Sequence, residues 1–175
     1  MDAIKAIVES LIFVAGSPLT VKKIAECIDG ATEQEIRGAV QSLIADYEGR
    51  NSGVRIVNVG GGYQMRTRED MAQWIRKFMG LKPVALSRAA LETLAVVAYR
   101  QPVMKSEIEK VRGVDVSGTL KGLLEKNLVR IVGRKDVPGR PIIYGTTKKF
   151  LEVFNLMDLS ELPTLRELKE LESSE

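Results

Sequence analysis

The chain reads as mainly α with small β-hairpin wings, an α+β protein built as two winged-helix domains in tandem. Three observations predict this. The order helix, short helix, helix, hairpin occurs twice along the 175 residues. Ile36-x-Gly38-x-Val40-x-x-Leu43 is matched by Val116-x-Gly118-x-Leu120-x-x-Leu123, and Pro18-Leu19 with Ile24 by Pro102-Val103 with Ile108. Val54-Arg55-Ile56-Val57 recurs unchanged as Val129-Arg130-Ile131-Val132.

Each element has its own signal. Ile4, Ile7, Val8, Leu11, Ile12 and Ala15 recur at helical spacing until Gly16-Ser17-Pro18 stops them. Thr20 is an N-cap for a short helix to about Ile28, and Asp29-Gly30 breaks it. Thr32 with Glu35 spells a capping box, opening a helix with Ile36, Ala39, Val40, Leu43, Ile44 and Tyr47 on one side. Val54–Val59 and Tyr63–Arg66 read as strands around the turn Gly60-Gly61-Gly62, and a helix follows from about Glu69 to Met79. Gly80 to Pro83 reads as a linker.

The second half begins with a helix from Ser87 to Arg100, ended by Gln101-Pro102. A short helix carries Ile108 and Val111 and is broken at Arg112-Gly113; Asp115 then caps a helix from Val116 to about Asn127. Leu128–Val132 and Ile142–Tyr144 are strands around a loop at 133–141, and Thr147 to Phe154 is a helix. Where the first half has the cap Thr20, the second has Met104, which has no oxygen to accept backbone N–H groups. Unless Ser106 or the loop compensates, that helix forgoes about 0.5–2 kcal/mol of capping. The expected domains are residues 1–80, residues 81–160, and an acidic, flexible tail at 161–175 that frays from about Leu168.

Composition excludes several functions. There is no histidine, the commonest general acid–base near neutral pH and a frequent zinc ligand. The single cysteine, Cys27, allows no internal disulfide and no paired-thiol metal site; its spacing with Ile24 and Ile28 predicts a small buried hydrophobe. No nucleophile, base and orienting group assemble, so an enzyme is not expected. No catalytic, cofactor or metal residues are assigned, and neither a cofactor nor a small-molecule substrate is expected. Aromatic residues make up only 5%, too few for a stacking platform for single strands. Gly60-Gly61-Gly62 precedes a strand and Gly133-Arg134-Lys135 lacks a following Ser or Thr, so neither is a phosphate loop. No apolar run reaches membrane-spanning length, no targeting signal is visible, and the chain is expected in the cytoplasm.

Charge is unevenly placed. Residues 1–80 hold ten basic and ten acidic residues, residues 81–155 fourteen and seven, and residues 156–175 two and six. Arg134, Lys135 and Arg140 in the second wing are either a solvated loop or a contact for phosphate or an acidic partner. The helix from Ala89 to Tyr99 is interrupted only by Glu92 and Thr93. Leu91, Leu94, Ala95 and Ala98 form the expected core stripe, while Val96, Val97 and Tyr99 point elsewhere, toward another part of the chain or a protein partner. Neither third helix opens like a base reader: one starts Glu33-Gln34-Glu35, the other Asp115-Val116-Ser117-Gly118.

The segment from Leu91 through Tyr99-Arg100-Gln101-Pro102-Val103, with Arg112-Gly113-Val114-Asp115, Ser117, Gly133-Arg134-Lys135, Pro138-Gly139-Arg140-Pro141, Tyr144, Thr146-Thr147 and Phe150-Leu151, resembles the segregation and condensation protein B family. The likeness is strong across about 84–160. Over 1–80 it rests on element order and on Gly16-Ser17-Pro18-Leu19 after the opening helix.

The resemblance implies a non-enzymatic accessory subunit of the bacterial structural-maintenance-of-chromosomes (SMC) complex, associated with the nucleoid. Such a subunit is a homodimer through its N-terminal domains and clasps the central region of the kleisin ScpA. The kleisin bridges the SMC ATPase, which carries the ATP chemistry for chromosome condensation and segregation in cell division. The partner surface is expected on the second domain, around Tyr99, Arg100, Gln101, Arg112, Gly113, Val114, Asp115, Arg134, Lys135 and Arg140. Ile12 and Phe13 are the expected dimer contact, unless they fill their own core. The rival reading is a winged-helix transcriptional regulator; weak, non-specific DNA contact by the basic half is compatible with either.

Overall fold

The computed structural model describes residues 2–80, 85–164 and 167. The linker expected at Gly80 to Pro83 therefore lies largely outside the described residues, as does the tail end from Leu168. The chain divides into two compact units, one of residues 1–82 with 155–175, the other of residues 83–154. Both are helix-rich and carry a small antiparallel sheet.

The first unit starts with α1 (Asp2–Val14), α2 (Val21–Ala25) and α3 (Glu33–Gly49). Thr20 caps α2, its hydroxyl accepting from the Lys23 N–H at 3.3 Å. The capping box forms: Thr32 Oγ1 accepts from the Glu35 N–H at 3.2 Å, and Glu35 Oε2 accepts from the Thr32 N–H at 2.8 Å. Strands β1 (Val54–Val59) and β2 (Gly62–Thr67) pair in register from Val54↔Thr67 to Val59↔Gly62. One turn of 3-10 helix then leads into α4 (Ala72–Met79). Val8, Ile12, Ile24, Ile36, Val40, Leu43 and Ile56 form one core, with burial the main source of cohesion. Lys5 bridges to Asp46 at 2.6 Å and the Tyr47 hydroxyl donates to Glu9 at 2.5 Å, so α1 is also tied to α3 along its flank. The Glu9 carboxylate, and to a lesser degree burial, hold that phenol above its ordinary pKa.

The second unit repeats the plan with one addition. It contains α5 (Arg88–Arg100), β3 (Val103–Met104), α6 (Lys105–Arg112), α7 (Ser117–Glu125), β4 (Val129–Arg134), β5 (Ile142–Thr146) and α8 (Lys148–Phe154). The two-residue β3, not expected from the sequence, makes the sheet three-stranded in the order β3-β5-β4. Its counterpart in the first unit is the single bridge Leu19↔Tyr63, and Val103 pairs with Tyr144 at the matching place. Leu94, Val97, Val103, Ile108, Val116, Leu120, Leu123 and Phe150 are buried.

Four expectations are corrected. Leu91 and Ala95 are exposed, and the inward stripe of α5 is Thr93, Leu94, Val97 and Ala98. Both stripes satisfy the helical period, and packing selects the second. Cys27 is exposed, because α2 ends at Ala25 and the turn breaks the spacing; its thiol donates to the Lys23 carbonyl at 3.3 Å. Residues 155–160 belong with the first unit: the Gly60 and Gly61 N–H groups donate to the Leu156 and Met157 carbonyls at 2.9 Å. Finally, Ser106 is not what compensates Met104; Glu107 Oε2 accepts from the Met104 N–H at 2.7 Å, supplying one half of a capping box.

Candidate partner-binding surface

The residues expected to meet a partner fall into two groups in the second unit, the corner after α5 and the β4–β5 hairpin. At the corner, Gln101 is committed inward. Its amide oxygen accepts from the Thr146 N–H at 2.8 Å, and its amide nitrogen donates to Thr146 Oγ1 at 2.9 Å. Gln101 therefore fastens the end of α5 to β5. Arg112 is similarly engaged: its guanidinium pairs with Glu92, which also holds Arg88 at 2.9 Å. The Arg112 side chain is only 14% exposed, so it is a poor candidate for meeting a partner directly. Gly113 sits at φ +72°, the left-handed conformation that closes α6.

Asp115 accepts from the Ser117 hydroxyl at 2.6 Å and the Ser117 N–H at 3.1 Å, and pairs with Lys105 at 3.1 Å. Those bonds, the Ser117 hydroxyl foremost, hold its carboxyl well below the usual carboxylate range. The sequence predicts Asp115 as the cap of a helix from Val116, but α7 starts at Ser117, which puts Asp115 one residue before the cap position Val116. Tyr99, Arg100 and Val114 remain exposed. Arg100 lines a groove of about 510 Å³ with Pro102, Val103, Glu107, Lys110 and Val111.

On the hairpin, Arg134, Lys135 and Arg140 are all exposed. One Arg134 guanidinium nitrogen donates to the Arg140 carbonyl at 3.1 Å, which braces the loop without neutralising any charge. Among the described residues none of the three has an ion pair.

In the first unit, Ile12 is 1% exposed and part of the core, so it cannot itself meet a second copy. Phe13, the next residue and therefore on another face, is 72% exposed. Ala3, Ala6, Ile7, Ser10 and Val14 share that outward side of α1. Ser10 spends its hydroxyl on the Ala6 carbonyl at 2.9 Å, so the stripe offers apolar contact along its length. Sequence reasoning missed Ile7, which it grouped with the periodic residues of α1, and Val14, which it did not assign. It also missed α4, where Trp74 and Phe78, one turn apart, are both exposed.

The opening of α3 does not suit a DNA groove. Glu33 and Glu35 lie in its first turn, and Arg37 is paired with Glu33 at 3.3 Å. Among the described residues no three or more His, Cys, Asp or Glu side chains gather as a metal site, and no helix is long and apolar enough to cross a membrane.

The molecule is thus a helix-rich protein with a small antiparallel sheet in each of two units, its distinctive chemistry on exposed apolar and basic surfaces. Residues 6–165 match the family model for the segregation and condensation complex subunit ScpB, and the chain belongs to that family. It is 47% identical to segregation and condensation protein B of Syntrophotalea carbinolica over 98% of this chain and 87% of that one. Among solved structures, ScpB from Mycobacterium tuberculosis is 34% identical over 89% of this chain and 96% of its own, with a TM-score of 0.43. A dimer of an ScpB N-terminal domain complexed with an ScpA peptide is 29% identical over 44% of this chain and 95% of its own, with a TM-score of 0.41.

Proposed function

We propose that the protein is a non-enzymatic accessory subunit of a bacterial SMC–kleisin complex, acting at the nucleoid in chromosome condensation and segregation. The observation that carries this is membership of the ScpB family across residues 6–165. In this reading each unit is a winged helix and the chain is a homodimer. The outward side of α1, with Ile7, Phe13 and Val14, is the contact between copies. Its support is a continuous apolar stripe on a helix whose other side already fills a core. The second unit faces the kleisin ScpA through Tyr99, Arg100, Val114 and the basic hairpin, while Gln101, Arg112 and Asp115 hold that surface in shape.

Light scattering after size-exclusion chromatography tests both claims, on the chain alone and with a purified kleisin subunit. A dimer that shifts to the mass of two copies and one kleisin is the expected result. The variant Phe13→Glu should elute as a monomer with unchanged helicity. A chain that never joins the kleisin removes the proposal.

A further inference from the structure

The outer strand β4 carries an unusual pairing of chemistry and exposure. It lies at the end of the order β3-β5-β4, and its outer edge meets no strand among the described residues. Val129 is buried, but Ile131 and Val132 are 52% and 44% exposed. The register jumps between Ile131 and Gly133, so Val132 is the extra residue of a bulge. Edge strands in natural proteins are usually blunted by charge, proline or a bulge. Here the bulge discourages long, open-ended pairing, yet two branched apolar side chains remain on an unpaired edge.

Cations flank this apolar pair. Arg130, Arg134, Lys135 and Arg140 are exposed and have no ion pair among the described residues; Asp136 is the one acid within the loop. The first unit's hairpin differs in part: Arg55 pairs with Glu69 at 2.9 Å and Arg68, just after β2, with Asp70 at 3.1 Å, while Arg66 donates to the Gln64 amide oxygen at 2.8 Å. Charge complementarity therefore selects a negatively charged occupant, and Ile131 with Val132 select one that also has apolar groups to bury. A phosphate backbone satisfies the first condition and gains nothing from the second. An extended segment alternating acidic and apolar residues satisfies both, since alternate side chains of a strand face opposite sides.

We infer that the free edge of β4 takes such a segment from a protein partner as an added strand, with main-chain hydrogen bonds giving affinity and the arginines and branched side chains giving selectivity. The inference rests on reading the chain as an interaction subunit and adds a binding mode to it.

The test uses the full chain and a short synthetic peptide alternating Glu and Val. Backbone hydrogen exchange should slow at Arg130–Arg134 when the peptide binds. The same peptide N-methylated at every second amide, with its charge kept, should bind at least about 10-fold more weakly. Arg134→Glu should weaken the acidic peptide and favour one alternating Lys and Val; Ile131→Lys should weaken both. Equal binding of the methylated peptide, protection elsewhere, no binding, or binding of β4 to a DNA duplex in place of the peptide would each overturn the inference. Kleisin binding by light scattering separates the two claims. A chain that joins the kleisin without protection at β4 retires strand addition alone. A chain that takes the peptide on β4 and never joins the kleisin retires the subunit reading alone.

Discussion

Val-Arg-Ile-Val occurs in β1 and again in β4, and the same four residues meet different fates. In β1, Ile56 is 6% exposed and packs in the first unit's core, and Arg55 reaches Glu69. In β4, Ile131 is 52% exposed and Arg130 has no ion pair among the described residues; its Nε donates to the Thr146 carbonyl at 3.1 Å. Local sequence sets the strand, and the surroundings set what the strand is for. One hairpin closes a core and has Arg55 paired with Glu69 just beyond it. The other carries its apolar and basic side chains outward.

The sharpest way to break the comparison is at the glycines where each sheet is approached most closely. A Cβ at Gly62 would lie 2.8 Å from the backbone carbon and oxygen of Leu19, which cannot rotate away. Gly62→Ala should therefore separate Leu19 from Tyr63 and cost about 2–3 kcal/mol. A Cβ at Gly145 would meet side chains, Val132 Cγ2 at 2.8 Å and Gln101 Oε1 at 2.9 Å. Gly145→Ala should cost less, about 1–2 kcal/mol, because Val132 is free to turn while Gln101 is held by Thr146. Denaturant unfolding followed by hydrogen exchange in each unit gives both numbers; equal losses would mean that backbone and side-chain neighbours yield alike.

Next in size is the clamp between Gln101 and Thr146 in the second unit. Gln101→Leu removes the acceptor of the buried Thr146 N–H and should cost about 1–3 kcal/mol, read as faster exchange at Thr146. If Gln101 were instead a partner contact, the variant would keep its stability and lose kleisin binding.

A smaller, two-sided prediction concerns the caps. Thr32→Ala removes one half of a complete box and should cost about 1 kcal/mol. Met104→Thr adds the missing half beside Glu107 and should gain about 0.5–1 kcal/mol. Thermal unfolding of the two variants should shift in opposite directions. A neutral Met104→Thr would show that the β3 backbone fixes the helix start more tightly than its cap does.

What was legible followed from short-range rules. The box at Thr32 and Glu35, the cap at Thr20, the break at Gly113 and the glycine turn are all spelled within a few residues, and all form, the turn as Gly60-Gly61 with Gly62 opening β2. What was not legible depends on residues far apart in sequence. Two residues cannot announce β3, whose Val103 pairs with Tyr144, 41 positions on. The helical period alone allowed Leu91 or Val97 to face the core, and Ile12 or Phe13 to face a second copy. Leu156 and Met157 read as part of the second domain, and their docking on Gly60 and Gly61 is a pairing that no local pattern encodes. For the candidate site, the charge of the second hairpin was readable, but the commitment of Gln101 and Arg112 to internal partners was not, because both look like free polar groups at a turn.

The finest comparison is between two acids that hold helix starts. Glu35 accepts from the Thr32 backbone N–H and, secondarily, the Thr32 hydroxyl, and its pKa is lowered. Asp115 accepts from the Ser117 hydroxyl, the Ser117 N–H and Lys105, and is held well below the usual range. Each is a carboxylate whose folded pKa lies below its unfolded one. Each therefore stabilises the fold above the unfolded value and loses that effect as pH falls through the folded value. On acidification from about pH 5, the Thr32 amide resonance should move first. The Ser117 amide should follow only at more acidic pH, since Asp115 is the more strongly depressed of the two. Simultaneous movement of both amides at the ordinary carboxylate pKa would show that neither turn is held by its acid. Movement of Thr32 alone, suppressed in Glu35→Gln, would confine acid sensitivity to the first unit.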